Sequence, residues 1–145
     1  MKISSKGRYA LRMMIDIAEH NTEDWISVKD ISERQGISMK YLEQIVINLS
    51  KSGLLNSSRG PQGGYMLAKT PEKYTIGQIL RIMEGSLAPV ACLESEVNQC
   101  ERQSICPTIA FWKGLDKVIN NYVDSVTFQD LIEAKRDNDG WDFSI

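Results

Sequence analysis

The chain has 145 residues and a mass of 16.4 kDa, the size of a single domain with a helical extension. No apolar run approaches the ~20 residues that span a bilayer, and the opening segment MKISSKGR lacks the apolar core of a signal peptide, so we predict a cytoplasmic protein. The net charge of −2 hides a basic first half, with ten Lys and Arg against seven Asp and Glu in residues 1–69, which favours a nucleic-acid partner unless it is only uneven surface charge.

Helical periodicity predicts three helices in the first fifty residues. Apolar residues recur at helical spacing over 5–19, on a stripe wide enough to be buried on two sides. A short helix is predicted over 28–35, and Gly36 suits the left-handed conformation that ends it. Ser38 then caps a helix over 39–51, whose face opposite the apolar residues is polar: Lys40, Glu43, Gln44, Asn48 and Lys51. Two such helices joined by a tight turn predict a helix-turn-helix, although any helical hairpin shares this pattern.

A glycine-rich hairpin is predicted directly after the helix over 39–51. Its strands cover 54–58 and 65–68, and Arg59 and Gly60 begin the loop RGPQGG between them. Glycine and proline in such a loop favour a tight reversal with positive φ. A basic hairpin in this position is typical of the wing of a winged helix, and an inert surface hairpin is the alternative. A phosphate-binding loop is disfavoured because no Gly-Lys-Ser or Gly-Lys-Thr follows.

The remaining sequence predicts a capped helix, a cysteine-bearing loop and a long helix. Thr75 and Gln78 form the pattern of a capping box, and the helix that they open ends at Gly85. After a polar loop, a helix is predicted over 107–123 with Cys106 as its cap. This helix carries an apolar stripe in 4-3-4 spacing: Phe111, Leu115, Val118 and Tyr122. Such a coiled-coil-like seam predicts packing on a second copy of the chain, with packing on its own domain as the alternative.

These elements predict a mainly α fold with a small β-hairpin wing, a winged helix-turn-helix followed by a long C-terminal dimerisation helix. The DNA-binding domain is assigned to 1–86, the cysteine loop to 87–106, and the dimerisation helix with a short final helix, predicted over 128–134, to 107–134. The last residues, 135–145, are predicted to form a flexible tail.

All cysteines of the chain fall within fifteen residues: Cys92, Cys100 and Cys106. Their surroundings are polar, whereas a cysteine that serves only as a small hydrophobe is expected in an apolar run. Their spacing is too wide for the Cys-x(2–4)-Cys pairs of structural zinc, and three thiolates with a fourth ligand from elsewhere suit an iron–sulfur cluster. A disulfide framework is disfavoured by the odd number. An enzyme is disfavoured because a cysteine nucleophile needs a base, and the single histidine lies among the DNA-binding elements.

Several motifs in register resemble the winged-helix regulators typified by IscR. They are SKGRYA from Ser5, DISERQGIS from Asp30, YLEQ from Tyr41 and RGPQGGY from Arg59, and the cysteines follow in the expected place. The resemblance runs from residue 1 to about 131. It implies a homodimeric transcription factor that binds double-stranded DNA, carries a [2Fe–2S] cluster and regulates iron–sulfur cluster assembly genes. Related branches are NsrR-like nitric-oxide sensors and CymR-like regulators of cysteine metabolism, which lack the cluster.

The same resemblance assigns the DNA contacts. Lys40, Tyr41 and Gln44 are expected to face the major groove, where a glutamine can form two hydrogen bonds to adenine. Arg59, followed by Gly60, is expected to enter a narrow minor groove. The remaining members of the set are Ser5, Lys6, Tyr9, Ser38 and Glu43. Ser5, Lys6 and Tyr9 are expected to hold phosphates, and the Glu43 carboxylate to oppose one class of site until the cluster binds.

The fourth cluster ligand of this family is missing. IscR-like proteins have a histidine three residues after the last cysteine, where this chain has Ile109, and NsrR-like proteins have an aspartate in the first helix, where it has Arg8. His20 is more typical of a solvated helix end than of a ligand. The loop offers four other donors: Glu94, Glu96, Asn98 and Glu101. A carboxylate from another part of the chain, His20 and an external thiol are the further alternatives. Because glutamate and asparagine bind iron more weakly than imidazole or thiolate, we expect a labile or oxygen-sensitive cluster, and [2Fe–2S] and [4Fe–4S] both stay open.

Two alternatives keep the fold but not the cluster. A CymR-like regulator would be controlled by a protein partner, although it would not need three clustered cysteines. A thiol switch would form a disulfide between Cys92 and Cys100 or between Cys100 and Cys106.

Overall fold

The computed structural model describes residues 2–20 and 24–138. Within these ranges, the first three helices are α1 (Ser5–Glu19), α2 (Val28–Gln35) and α3 (Met39–Lys51), and they are followed by strands β1 (Leu55–Ser58) and β2 (Gly64–Leu67). Three more helices complete the described part of the fold: α4 (Ile76–Glu84), α5 (Ile109–Ser125) and α6 (Phe128–Asp137). Short 3₁₀ turns cover Pro71–Lys73 and Ala91–Leu93. The predicted mainly α fold with a small hairpin is confirmed. Across the residues described, no helix combines the length and the apolar character that a membrane span requires.

Helix α1 lies at the centre of the hydrophobic core. Ser4 caps it, because the Ser4 Oγ accepts a hydrogen bond of 3.2 Å from the Gly7 N–H. One face is completely buried: Ala10, Met13, Met14 and Ile17. Burying a large apolar side chain of this kind stabilises the fold by about 1.5–3 kcal/mol. The helix contacts α2, α3, α4 and α6, which explains why its apolar stripe is wider than one packing surface needs.

Helices α2 and α3 form the predicted helix-turn-helix, with the predicted bounds. Gly36 ends α2 in the left-handed conformation, with φ of 66°. Ser38 caps α3, since its Oγ accepts a hydrogen bond of 3.2 Å from the Tyr41 N–H. The face of α3 that periodicity predicts to be buried is buried: Leu42, Ile45, Val46 and Leu49. This packing leaves the opposite face of α3 in solvent.

Strands β1 and β2 form the hairpin, within one residue of the predicted bounds. They pair antiparallel, with Leu55 opposite Leu67. Gly64 opens β2 with a positive φ of 155°, and a Cβ at this position would collide with the Ile26 carbonyl. This close approach lets Ile26 pair with Tyr65 as a short bridge, which anchors the base of the hairpin to the segment before α2.

The C-terminal part folds back onto the core through Tyr74 and Phe128. Their rings are buried and stacked, with centroids 5.2 Å apart. The Tyr74 hydroxyl donates a hydrogen bond of 2.8 Å to the Leu54 carbonyl, and burial raises the pKa of Tyr74. Capping boxes formed by Thr75 and Thr127 begin α4 and α6, and these two threonines pair in a short bridge. Helix α6 is therefore fixed to the end of the hairpin and to the start of α4.

The long helix α5 begins later than predicted. Its first residue is Ile109 and the residue before it is Thr108, so the expectation that Cys106 caps a helix beginning at Pro107 is wrong. The first helical hydrogen bond runs from the Trp112 N–H to the Thr108 carbonyl, and the residues before Thr108 form a turn.

Helix α6 is longer than predicted. It continues past Ala134 to Asp137, and Lys135 forms an ion pair of 2.9 Å with Glu19 of α1 that holds this last turn. Part of the predicted flexible tail is therefore helical. The rest of that tail, 139–145, lies outside the described residues, as do residues 21–23.

Candidate DNA-binding surface and cysteine loop

The outer face of α3 is exposed along its whole length. It carries Lys40, Glu43, Gln44, Ile47 and Lys51, all of them exposed. The two lysines near its ends carry positive charge of the kind that attracts phosphates, and the side chains of Gln44 and Glu43 are able to form hydrogen bonds with base edges. Ile47 stands among them with 53% of its surface exposed. The face thus combines the chemistry of backbone contacts with that of base contacts.

The second turn of α1 packs against the first turn of α3. Tyr9 and Tyr41 connect the two helices edge to face, with ring centroids 5.4 Å apart. Ser5 is exposed and Lys6 is partly exposed on the first turn of α1. The Ser5 Oγ accepts a hydrogen bond of 3.0 Å from Arg8. The tyrosine pair therefore brings the residues predicted to hold phosphates close to those predicted to face the major groove.

The tip of the hairpin carries the predicted minor-groove residue. Arg59 is exposed, and Gly60 turns the chain with φ of 103° while its carbonyl accepts a hydrogen bond of 3.0 Å from the Gly63 N–H. An open groove runs between the hairpin loop and the start of α2, where Asp24 and Asp30 also line it. The guanidinium is thus accessible to an anionic ligand, with two carboxylates nearby.

A buried carboxylate ties α2 to α1. Asp16 is 2% exposed, and it accepts hydrogen bonds from Nε and Nη2 of Arg34 and from Nε2 of Gln35. The hydrogen bond to Asp16 is the main cause that raises the pKa of Arg34. This network fixes the orientation of the first helix of the helix-turn-helix relative to the core.

The three cysteines lie on the loop between α4 and α5, and none of them forms a disulfide. Cys92 and Cys100 line one open pocket together with Glu94, whereas Cys106 lies outside it. In the part of the chain that the structure describes, no three His, Cys, Asp or Glu side chains converge to hold a metal ion. Three thiols without disulfides suit an iron–sulfur cluster as donors, but one cluster held by all of them requires the loop to close.

The Cys106 thiol lies beside a hydroxyl group at the start of α5. Its Sγ lies 3.6 Å from the Thr108 Oγ1, and the same Oγ1 accepts a hydrogen bond of 3.2 Å from Nε1 of Trp112. Because the indole N–H can only donate, the threonine hydroxyl proton is available for the sulfur. This hydroxyl first, and the backbone N–H groups of Thr108 and Ile109 with it, lower the pKa of Cys106.

The cysteine loop starts where α4 meets the start of α1. Glu84, the last residue of α4, accepts hydrogen bonds from the Ser4 N–H at 2.9 Å and from the Ser4 hydroxyl at 2.6 Å. A Cβ on Gly7 would collide with the same carboxylate, so glycine is needed for this approach. The contact joins the beginning of the loop to the helix that carries Lys6.

Helix α5 presents an apolar stripe to solvent. Phe111, Val118 and Tyr122 are 64%, 64% and 69% exposed. The other side of the helix is held to α4, because Arg81 bonds to Asp124 at 2.6 Å and to Asn120 at 2.7 Å. An apolar stripe of this size, rigidly held and uncovered, is typical of a protein–protein interface.

A winged helix, a polar recognition face and a loop of thiols define the class of DNA-binding transcriptional regulators. The chain belongs to the Rrf2 family, described as iron-dependent transcriptional regulators, whose family model matches residues 3–134. IscR of Pectobacterium atrosepticum, an HTH-type transcriptional regulator, is 38% identical over 135 residues, covering 93% of this chain and 81% of the relative. The relatives are regulators rather than enzymes, as predicted.

Solved structures of two branches of this family share the fold. IscR of T. potens matches with a TM-score of 0.74 and 38% identity, over 93% of this chain and 88% of that one. CymR (YrzC), the global cysteine regulator of B. subtilis, matches with a TM-score of 0.76 and 35% identity, over 92% and 98%. The predicted resemblance to IscR-like winged-helix regulators is therefore confirmed.

Three features of the site were not predicted from the sequence. Ile47 interrupts the polar face of α3, although helical periodicity predicts that this face carries polar residues. Nothing in the sequence around Asp16 indicates that it is buried, because its ion-pair partner, Arg34, lies on another helix. The bond between Ser4 and Glu84 joins residues 80 positions apart, which no local pattern reveals.

Proposed function

We propose that this regulator binds DNA as a homodimer and senses iron–sulfur cluster or redox status through Cys92, Cys100 and Cys106. Genes of iron–sulfur cluster assembly are the proposed targets. The observation that carries the proposal is a loop with three thiols, none in a disulfide, directly behind a winged helix. The similarity to proteins named IscR, at 38% identity over most of the chain, supports it.

The proposed DNA contacts follow from the exposed side chains. Gln44 bonds to adenine and Lys40 to guanine or a phosphate in the major groove. Arg59 enters a narrow minor groove, whose negative potential attracts a guanidinium. Ser5 and Lys6 hold phosphates, which set the register of the protein on the duplex rather than its sequence preference.

Five further residues complete the proposed DNA surface: Tyr9, Tyr41, Ser38, Gly60 and Glu43. The tyrosine pair aligns α1 with α3, the serine caps the recognition helix, and the glycine shapes the wing. Glu43 opposes binding wherever no base edge donates a hydrogen bond to it, because an unpaired carboxylate in the groove is costly. It therefore adds discrimination between classes of operator.

Dimerisation through the α5 stripe gives the protein two recognition helices. A symmetric dimer reads two half-sites about one helical turn apart, ~34 Å, so the operator is expected to be nearly palindromic. The exposed Phe111, Val118 and Tyr122 support this arrangement, since a second copy would remove them from water.

Glu94 is the proposed fourth cluster ligand. Among the candidate donors Glu94, Glu96, Asn98 and Glu101, it is the one that lines the pocket of Cys92 and Cys100. The Asn98 carboxamide oxygen is already engaged by the Cys100 N–H at 2.9 Å. A bound cluster supplies a centre that responds to oxidants and to iron supply. Closure of the loop around these side chains is transmitted through Glu84 to Ser4, and from there to the first turn of α1.

A second candidate function is a cluster-free thiol switch or a regulator controlled by a protein partner. The separation of Cys106 from the pocket of the other two thiols favours it, as does the similarity to CymR. In this reading an external oxidant takes two electrons and two protons from Cys100 and a second thiol, which join in a disulfide. The second thiol is Cys92, which shares a pocket with Cys100, or Cys106.

The first experiment is to purify the protein without oxygen and to record its visible spectrum together with iron and sulfide content. Absorbance near ~400 nm that disappears in Cys106→Ala supports the cluster. A colourless, iron-free protein that stays so after reconstitution, yet binds DNA, favours the thiol or partner reading. Glu94→Ala is expected to yield a cluster that is lost faster on exposure to air, while the matched variant Glu96→Ala leaves the lifetime of the cluster unchanged.

A further inference from the structure

The outer face of α3 contains one apolar side chain that its packing does not explain. At about 100° per residue, Ile47 lies between Lys40 and Glu43 around the helix, and nearly opposite the buried Ile45 and Leu49. Just over half of its surface, 53%, is exposed. A single exposed isoleucine is ordinary on a protein surface, but this one stands in the middle of the face that the fold presents to DNA.

The chemistry of the major groove offers Ile47 one kind of partner. Base edges there carry hydrogen-bond donors and acceptors, which suit Lys40, Glu43 and Gln44, and one apolar group, the C5-methyl of thymine. Isoleucine cannot form hydrogen bonds, and its branched side chain keeps one preferred χ1 rotamer in a helix, so little freedom is lost on contact. We propose that Ile47 determines specificity by packing on a thymine methyl group. The proposal rests on the DNA-reading role of α3.

Helix geometry restricts where this thymine lies. Ile47 follows Gln44 by three residues, an axial distance of about 4.5 Å, and base pairs are spaced by ~3.4 Å. The thymine is therefore within one or two base pairs of the base that Gln44 contacts. Lys51, one turn further along the same face, reaches the phosphates beside it and holds the helix against this step.

The test compares thymine with uracil, which differs only by the absent methyl group. Duplexes are selected from a random-sequence DNA library with the full-length protein, and each thymine of the selected sequence is replaced in turn by deoxyuridine. At one position per half-site, we expect wild-type affinity to fall about fourfold, the equivalent of ~0.8 kcal/mol for one methyl group at 1.4 kcal/mol per tenfold. Ile47→Ser is expected to bind both duplexes equally, and Ile47→Val to retain the preference.

The controls separate a base contact from a general loss of binding. Lys51→Gln, on the same face, is expected to lower affinity for both duplexes by the same factor and to leave the thymine-to-uracil ratio unchanged. The inference is overturned, while the DNA-reading role of α3 stands, if no uracil replacement changes the affinity for the enriched sequence. The same holds if Ile47→Ser keeps the thymine-to-uracil affinity ratio of the wild type. Failure of the wild type to enrich any sequence contradicts the DNA-reading role of α3 and the inference together. Because Ile47 is exposed, its replacement leaves the core intact, which thermal melts verify.

Discussion

Asp16 of α1 and Arg34 of α2 form a two-pronged ion pair across the helix-turn-helix. Nη2 of Arg34 lies 2.6 Å from Oδ1, and Nε lies 3.0 Å from Oδ2. The Asp16 side chain is 1% exposed, while that of Arg34 keeps 34% of its surface in solvent. Gln35 adds a bond of 2.8 Å to the same carboxylate. The α1–α2 contact therefore depends on a satisfied buried charge. A carboxamide in its place would offer one acceptor oxygen to the donors of Arg34 and Gln35 and would turn an NH₂ group towards them.

Asp16→Asn is expected to destabilise the protein by about 2–3 kcal/mol, less than the 3–5 kcal/mol typical of a fully buried pair because Arg34 still reaches water. Urea unfolding at neutral pH measures the change. The matched control is Asp124→Asn, which breaks an exposed pair with Arg81 of the same 2.6 Å length and is expected to cost less than ~1 kcal/mol. Equal destabilisation by the two variants would show that the burial of Asp16 contributes nothing.

Glu84→Ala is expected to loosen the start of α1 and to weaken DNA binding. The carboxylate accepts two hydrogen bonds from Ser4, and their loss frees the cap of the helix on which Lys6 lies, at a cost of about 1 kcal/mol. DNA titration is expected to reveal an affinity about fivefold lower. Glu72→Ala is the control, because Glu72 accepts a hydrogen bond from Thr70 within one short turn and connects no two helices. Equal DNA affinities of Glu84→Ala and Glu72→Ala would contradict the proposed connection between the cysteine loop and the DNA-binding surface.

The DNA-binding half could be predicted closely because its local signals agree with one another. Ser38 bonds where a cap is predicted, Gly36 adopts the left-handed conformation, and α1, α2 and α3 have the predicted bounds. The predicted start of α5 at Pro107 is wrong, although proline is common in the first turn of a helix. The chain instead turns at Thr108, whose φ of −113° and ψ of 0° precede the helix.

The site was less predictable than the fold, since its key contacts join distant parts of the chain. Asp16 and Arg34 are 18 residues apart, and Ser4 and Glu84 are 80 apart. Periodicity describes one element at a time and cannot report such pairs. The exposure of Ile47 is hard to predict for a different reason. Periodicity assigns apolar residues to the buried face of a helix, whereas Ile47 lies on the polar face. Departures of this kind concentrate where a surface has a function.

In the cluster-free protein, the Cys106 thiolate is expected to form at a lower pH than an ordinary thiol. The Thr108 hydroxyl is the main cause that lowers its pKa, and only the thiolate reacts, so alkylation reaches half its maximal rate at a lower pH than for an ordinary thiol. Rates of iodoacetamide labelling across pH, followed by peptide mass spectrometry, measure this midpoint. Thr108→Val is expected to move it towards higher pH, and Thr70→Val, remote from the loop, to leave it in place. An unchanged midpoint in Thr108→Val would contradict the role of the hydroxyl.

Val118→Asp is expected to convert the proposed dimer into a monomer. Val118 is 64% exposed at the middle of the α5 stripe, and an aspartate there would bury an unpaired charge between two copies, at a cost of several kcal/mol. Light scattering coupled to size-exclusion chromatography measures the mass. Lys117→Glu is the control, because Lys117 is exposed and lies on a different side of α5 from the stripe. This variant changes the charge of the helix more than Val118→Asp does, so a monomer formed only by Val118→Asp cannot be attributed to charge in general. Since two half-sites need two recognition helices, operator affinity is expected to fall together with dimerisation. A Val118→Asp protein that remains dimeric would place the interface elsewhere on the molecule.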